Sequence, residues 1–209
     1  MFIHQIPSLI PRIFPKLIWE GNHSQDAPNV YFTFDDGPCP EITNFVLDEL
    51  NKYEAKASFF CIGKNMVKFP ALTQQILAHG HRIGNHTMNH ANAWKMNPIS
   101  YLNEIKACDD VMAQMGIESI GFRPPYGRLR PTFYHEIAET QPIFMWSILT
   151  GDYNASLDAT DVIASCKKAI KPGSILVFHD SLKAFPLLKN ILPALLQHCV
   201  QNGLKPISL

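Results

Sequence analysis

The chain has 209 residues, enough for one domain with a short appendage, and an apolar fraction of 46% that can supply a sizeable core. Lysine plus arginine and aspartate plus glutamate each number 18, so the formal charge is zero. That balance lacks the basic excess of a nucleic-acid binder and disfavours polyanionic substrates.

Five cysteines (Cys39, Cys61, Cys108, Cys166 and Cys199) are scattered without a CxxC pair. Their number and spacing argue against a disulfide framework or a thiolate zinc site and for free thiols in a reducing compartment. The opening stretch "MFIHQIPSLIPRIFPKLIWEG" is apolar, but Pro7, Pro11 and Pro15 interrupt it and Arg12 and Lys16 sit inside it. It lacks the pattern of a secretory signal and the ~20 apolar residues of a membrane span. Residues 1–28 are therefore expected to form an arm packed on a catalytic domain of residues 29–209, in a cytoplasmic protein.

In chain order, "VYFTF" (30–34) is a short β-prone run that ends on Asp35-Asp36-Gly37-Pro38. Residues 40–53 place Ile42, Val46, Leu50 and Tyr53 at helical spacing. "KASFFCIG" (56–63) reads as a strand, and residues 66–80 as one helix with Gly80 as its C-cap. "RIGNH" (82–86) is a third strand. The next helix starts on an Asn97 cap with Pro98 in its first turn and sets Tyr101, Ile105, Cys108, Met112 and Met115 on one face. "SIGFRPP" (119–125), "IFMWSIL" (143–149) and "SILVFHD" (174–180) read as further strands with helical stretches between them. Residues 187–203 form the last helix, with a kink expected at Pro193, and "KPISL" (205–209) a closing strand.

Alternating strands and helices imply right-handed crossovers and parallel pairing, hence an α/β fold. Asp35-Asp36, His86, Arg123, Asp152 and His179 all fall at or just past the C-terminal ends of different strands. A barrel gathers such ends on one face, where an open sheet would collect fewer of them. The chain is short for eight full units, so the expected fold is a distorted, incomplete (β/α) barrel of about seven parallel strands.

Chemistry is suggested at several points. "NHTMNH" sets His86 and His90 four apart, within reach of one cation on a helical turn or a tight loop. A carboxylate from another strand would complete an open three-ligand site. Adjacent residues at a strand end diverge, so one aspartate of the 35–36 pair could ligate while the other faces substrate as a base. "GFRPPYGR" stiffens the backbone around Arg123 and Tyr126. His179 could act as a general acid, with Asp152 either orienting it or capping a turn.

Taken in order, "TFDDGP", "HTMNH", "RPPYG", "W…GDY" and "VFHD" resemble the polysaccharide deacetylase family, also called the NodB-homology domain or carbohydrate esterase family 4. The resemblance spans residues 31 to about 180. It implies a metal-dependent hydrolase removing N-acetyl, sometimes O-acetyl, groups from a carbohydrate. It further implies Asp35 as catalytic base, Asp36, His86 and His90 as metal ligands, and one divalent ion, ordinarily zinc. By the same resemblance Arg123 would tether Asp35, Tyr126 would lend its backbone N–H to the oxyanion, and Asp152 would orient His179 as general acid.

Three positions depart from the family pattern: Tyr153 stands where tryptophan is usual, Leu149 where an aspartate is often found, and Val177 where leucine is usual. They leave the ionisable set intact and alter the groove that would grip the acetyl methyl or the sugar. The competing readings are a hydrolase of a small amide or cyclic imide and a non-catalytic, metal-bearing carbohydrate-binding protein. A binder needs neither the base nor the acid. The expected partner is an acetylated carbohydrate or small amide, with neither nucleic acid nor a membrane span involved.

Overall fold

The computed structural model describes residues 5–7, 9–24 and 26–209. Residues 1–4, 8 and 25 of the expected arm lie outside the described residues. The arm carries α1 (Leu9–Ile13) and β1 (Leu17–Ile18). The first half then runs β2 (Asn29–Asp35), α2 (Pro40–Lys52), β3 (Ser58–Cys61), α3 (Gly63–Lys68), α4 (Pro70–Ala78), β4 (Arg82–Asn85) and α5 (Pro98–Gln114). The second half runs α6 (Pro131–Thr140), β5 (Ile143–Phe144), β6 (Ile148–Leu149), α7 (Ala159–Ala169), β7 (Ile175–His179), α8 (Phe185–Gln201) and β8 (Lys205–Ile207).

The main sheet has the order β4-β3-β2-β7-β6, with β8 paired to the start of β2, and β1 and β5 pair separately. Every strand ladder is parallel. Phe122 bridges the two groups, pairing with Asn85 at the end of β4 and with Ile143 at the start of β5. On the other side Gln5 of the arm makes an antiparallel bridge to Ile148. The wall therefore runs most of the way round with weak seams: a distorted, incomplete barrel, as expected. Parallel pairing puts the C-terminal ends of the strands at one end, which is what assembles a site from distant residues.

Period-two alternation along β2 explains how one strand serves both core and site. Phe32 and Phe34 face the helical layer, where Phe34 stacks on Phe59 at 5.1 Å and on Phe178 at 5.4 Å. Ile42, Val46 and Leu50 of α2 and Leu188, Ile191, Leu192 and Leu195 of α8 belong to the same fully buried cluster. Truncating a phenylalanine in such a cluster costs about 3–5 kcal/mol. Thr33 and Asp35 face the opposite way, into the barrel, where both meet Arg123. A second cluster forms where Leu17 and Trp19 of the arm pack with Tyr101, Phe122, Phe133 and Ile143.

Three expected elements differ. The single helix over 66–80 is two, because Phe69 precedes Pro70 and sits at φ −128, ψ 59, outside the helical region. The expected strand over 119–125 reduces to the Phe122 bridge, since Pro124 and Pro125 have no N–H for a ladder. The run over 143–149 splits because its halves have different partners: Met145 N–H donates to the Ile18 carbonyl and Ser147 N–H to the Ile175 carbonyl. Elsewhere, Asn97 caps α5 by accepting from Ser100 N–H, and α8 continues through Pro193.

All five cysteines are free, and burial pushes the Cys108, Cys166 and Cys199 thiols up to about 12. Among the described residues no helix is long and apolar enough to cross a membrane.

Candidate active site

The site begins where β2 ends. Asp35 is its last residue and is only 4% exposed. Asp36 then adopts a left-handed conformation at φ 79, which turns its carboxylate away from that of Asp35. Asn65 fixes the turn by donating from Nδ2 to the Asp36 carbonyl at 2.8 Å. Gly37 follows because no side chain fits: a Cβ there would lie 2.1 Å from Asp180 Oδ2.

Arg123 reaches Asp35 from across the barrel. Its Nη1 donates to Asp35 Oδ1 at 2.8 Å and to Thr33 Oγ1 at 2.6 Å. Nε and Nη2 donate to the carbonyls of Phe144 and Met145, and the guanidinium lies 4.0 Å over the Phe60 ring. The side chain is fully buried. Burial lowers its pKa and Asp35 opposes this, so the two form a paired, desolvated unit.

His86 follows β4 and is 2% exposed. Its Nδ1 lies 2.8 Å from the Arg123 carbonyl, which can only accept, so Nδ1 carries the proton and Nε2 presents a lone pair. Burial lowers the His86 pKa against the opposing charges of Asp35 and Asp36. Residues 86–90 form a tight loop rather than a helical turn, with Thr87 at φ 65 and His90 at φ 56. Among the described residues, three of the five left-handed non-glycine residues are Asp36, His90 and Tyr126, a concentration typical of functional sites.

Asp36, His86 and His90 converge. Asp36 Oδ1 lies 3.1 Å from His90 Nε2 and 3.6 Å from His86 Nε2, and the three candidate ligand atoms all lie within 4.8 Å of one another. Oδ1 is buried without a well-aligned hydrogen bond. Burial pushes the Asp36 carboxyl up, but the His90 contact and the charges of His179 and His86 outweigh it and hold it well below the usual carboxylate range.

A second tethered pair sits at the end of β7. Asp152 Oδ2 accepts from His179 N–H at 2.8 Å, and Oδ1 lies 2.8 Å from His179 Nδ1. Burial opposes the imidazolium, yet the Asp152 charge and hydrogen bond, followed by Asp36 and Asp35, raise the His179 pKa to about 9.

These residues border a cleft of about 700 Å³, whose walls include Tyr126, Trp146, Leu149, Tyr153 and Val177. Gly127, at φ +63, lets the Trp146 ring approach, since a Cβ would meet it at 2.5 Å. The cleft thus gathers two carboxylates and three imidazoles from the ends of three strands, β2, β4 and β7.

The polysaccharide deacetylase family profile matches residues 22–141. The chain belongs to the polysaccharide deacetylase family. It is 34% identical over 154 residues to a peptidoglycan-N-acetylglucosamine deacetylase of Bacillus cereus, covering 73% of this chain and 56% of that relative. The chain thus spans little more than half the length of that relative. It is 31% identical over 155 residues to a chitooligosaccharide deacetylase of a Bradyrhizobium species, covering 73% of this chain and 70% of that one. Among solved structures, a peptidoglycan N-acetylglucosamine deacetylase superposes with a TM-score of 0.81 at 28% identity, covering 98% of this chain and 95% of that one.

All eight residues singled out from the sequence lie at this one end of the barrel. The family motifs do not account for every residue that builds the site. Thr33 shares Arg123 with Asp35, and its signal was its place two residues earlier on the same strand face. Asn85 is fully buried, accepts from Thr87 N–H and donates to Asp109 and the Ile105 carbonyl, which shapes the histidine loop. Asp180 is also fully buried and receives the Thr43 hydroxyl at 2.5 Å. Nothing in the sequence separated Asn85 and Asp180 from ordinary surface polar residues.

Proposed function

We propose that the chain is a metal-dependent hydrolase that removes N-acetyl groups from an amino-sugar glycan, acting as a catalytic unit of residues 29–209 with residues 1–28 as its arm. The observation that carries this reading is a pair of separately tethered groups, Asp35–Arg123 and His179–Asp152, flanking one donor set. The names of the relatives support an N-acetylated glucosamine substrate class.

The donor set suits a divalent cation. Asp36 offers a buried oxygen short of a partner, and His86 has committed its Nδ1–H and presents Nε2. Two imidazoles and one carboxylate are a common zinc set that leaves open positions, so Asp36, His86 and His90 would hold it. When bound, the ion would supply Lewis-acid polarisation of the acetyl carbonyl.

Asp35 accepts the proton of the attacking water as the water adds to the carbonyl carbon, and Arg123 fixes the direction of the carboxylate. The Tyr126 amide, held in a left-handed turn beside His90, donates to the developing oxyanion. An amine leaves poorly unless protonated. His179, with Nδ1–H held by Asp152, donates from Nε2 to the sugar nitrogen as the C–N bond breaks. Acetate and a free amine result.

The test is acetate release from N-acetylglucosamine oligomers with chelator and then with zinc restored. Acetate and free amine should appear in equal amounts, vanish with chelator and return with zinc. No acetate from any such oligomer with the zinc-loaded protein would overturn the assignment.

A further inference from the structure

The chain is electrically neutral, but the rim of its cleft is not. Outward from His90, the Tyr126 ring lies 4.6 Å away, Arg128 lies 5.6 Å over that ring, and the same guanidinium lies 4.6 Å over Trp94. Outward from His179, the Tyr153 ring lies 4.9 Å away and Lys183 Nζ lies 5.5 Å over it. Each flanking histidine therefore carries a tyrosine, and each tyrosine a cation, on the walls of one cleft.

Among the described residues no carboxylate lies within salt-bridge distance of Arg128 or Lys183, and neither side chain donates a hydrogen bond. Aromatic faces orient a cation while leaving its N–H donors available. The Trp94 end is also built. Asn92 Oδ1 accepts from Trp94 N–H, Arg130 Nη2 donates to the Trp94 carbonyl at 2.6 Å, and the residue remains 56% exposed.

We propose that Arg128 and Lys183 form subsites for carboxylate groups on sugars neighbouring the one deacetylated, so the substrate is an acidic glycan rather than a neutral one. A tyrosine ring separates each cation from the reacting centre, which places the carboxylates on adjacent sugars. There they avoid Asp35 and Asp36. The guanidinium fork suits a planar carboxylate, and exposed Trp94 offers a face to the next sugar ring. The proposal rests on the deacetylase reading and adds to it the charge of the substrate.

The experiment compares three oligosaccharides of equal length. One is neutral poly-N-acetylglucosamine, one alternates N-acetylglucosamine with glucuronic acid, and the third is that acidic oligomer with its carboxylates methyl-esterified. The expected result is a kcat/KM for the acid about tenfold above its ester at low ionic strength, shrinking at high salt. Arg128→Gln and Lys183→Gln should each lower this ratio, the double variant should bring it to about one, and Arg128→Lys should keep part of it. The ratio is taken within one preparation, so loss of folded protein cancels. Equal values for acid and ester in the wild type, or a preference that survives in the double variant, would overturn the proposal. If no probe releases acetate, the deacetylase reading fails. The dissociation constants of the acid and its ester then decide the subsites: tighter acid binding upholds them and equal binding rejects them.

Discussion

Asp35 and His179 occupy paired positions on adjacent parallel strands, at the ends of β2 and β7. Each is held by a partner from elsewhere in the chain, Arg123 for one and Asp152 for the other. Neighbouring strands lie ~4.8 Å apart, so the sheet itself fixes the spacing of the two groups.

The proposed mechanism gives the two residues separate roles. Asp35→Asn and His179→Ala should each lower kcat on the order of 10²- to 10⁴-fold while circular dichroism shows the fold retained. Asp35→Asn should also lower the melting temperature, because Arg123 loses its charged partner and keeps three neutral acceptors. Wild-type turnover in either variant would remove that residue from the mechanism.

Metal content isolates the donor set from the chemistry. Elemental analysis should find one divalent ion per wild-type chain and far less in His86→Ala, with exposed His135→Ala as the unaffected control. Equal content in the His86 variant and the wild type would refute the ligand assignment.

The His179–Asp152 pair sets a pH limit. A folded pKa of about 9, above the usual 6.5, means that the pair's contribution to stability is complete below pH 6.5 and lost as pH rises through about 9. The proton-donating form follows the same course, so kcat should fall along an alkaline limb near pH 9. Asp152→Asn removes the largest cause of the rise and leaves burial, which acts downward. The limb should move to lower pH, and a pH profile of kcat with an unmoved limb would count against the tether.

Asp180 makes the opposite kind of claim, on stability alone. Burial first, then the charges of Asp36 and Asp35, raise its carboxyl to about 8 against the Thr43 hydrogen bond, so it is mostly protonated at neutral pH. Stability from the protonated form is complete below the usual 3.8 and lost as pH rises through about 8. Asp180→Asn should therefore raise the melting temperature more at about pH 9 than at about pH 5. The same increment at both would show that Asp180 is ionised throughout.

What was legible in the sequence follows from range. Phe32 and Phe34 alternate with Thr33 and Asp35, so β2 and its two faces could be read from period alone. The Asn97 cap and Pro98 likewise announced α5 locally. The division of 143–149 between β1 and β7 depends on which strands lie on either side, and no local pattern carries that. The same holds at the site. Histidines four apart suggest a ligand pair unaided, whereas Asn85 matters only because β4 delivers it beneath α5, beside Asp109.

Arg123 has a further consequence through the distances it spans along the chain. Its guanidinium is bonded to groups 88 and 90 positions earlier and 21 and 22 positions later. Until the segment at 144–145 is in place, a buried cation has donors without acceptors, and Asp35 has no settled orientation. A molecule collapsed around the β2 phenylalanines alone would have helices and a core and yet be catalytically silent. On the proposed deacetylase reading, acetate release would count finished molecules, and during refolding it should lag behind the recovery of secondary structure.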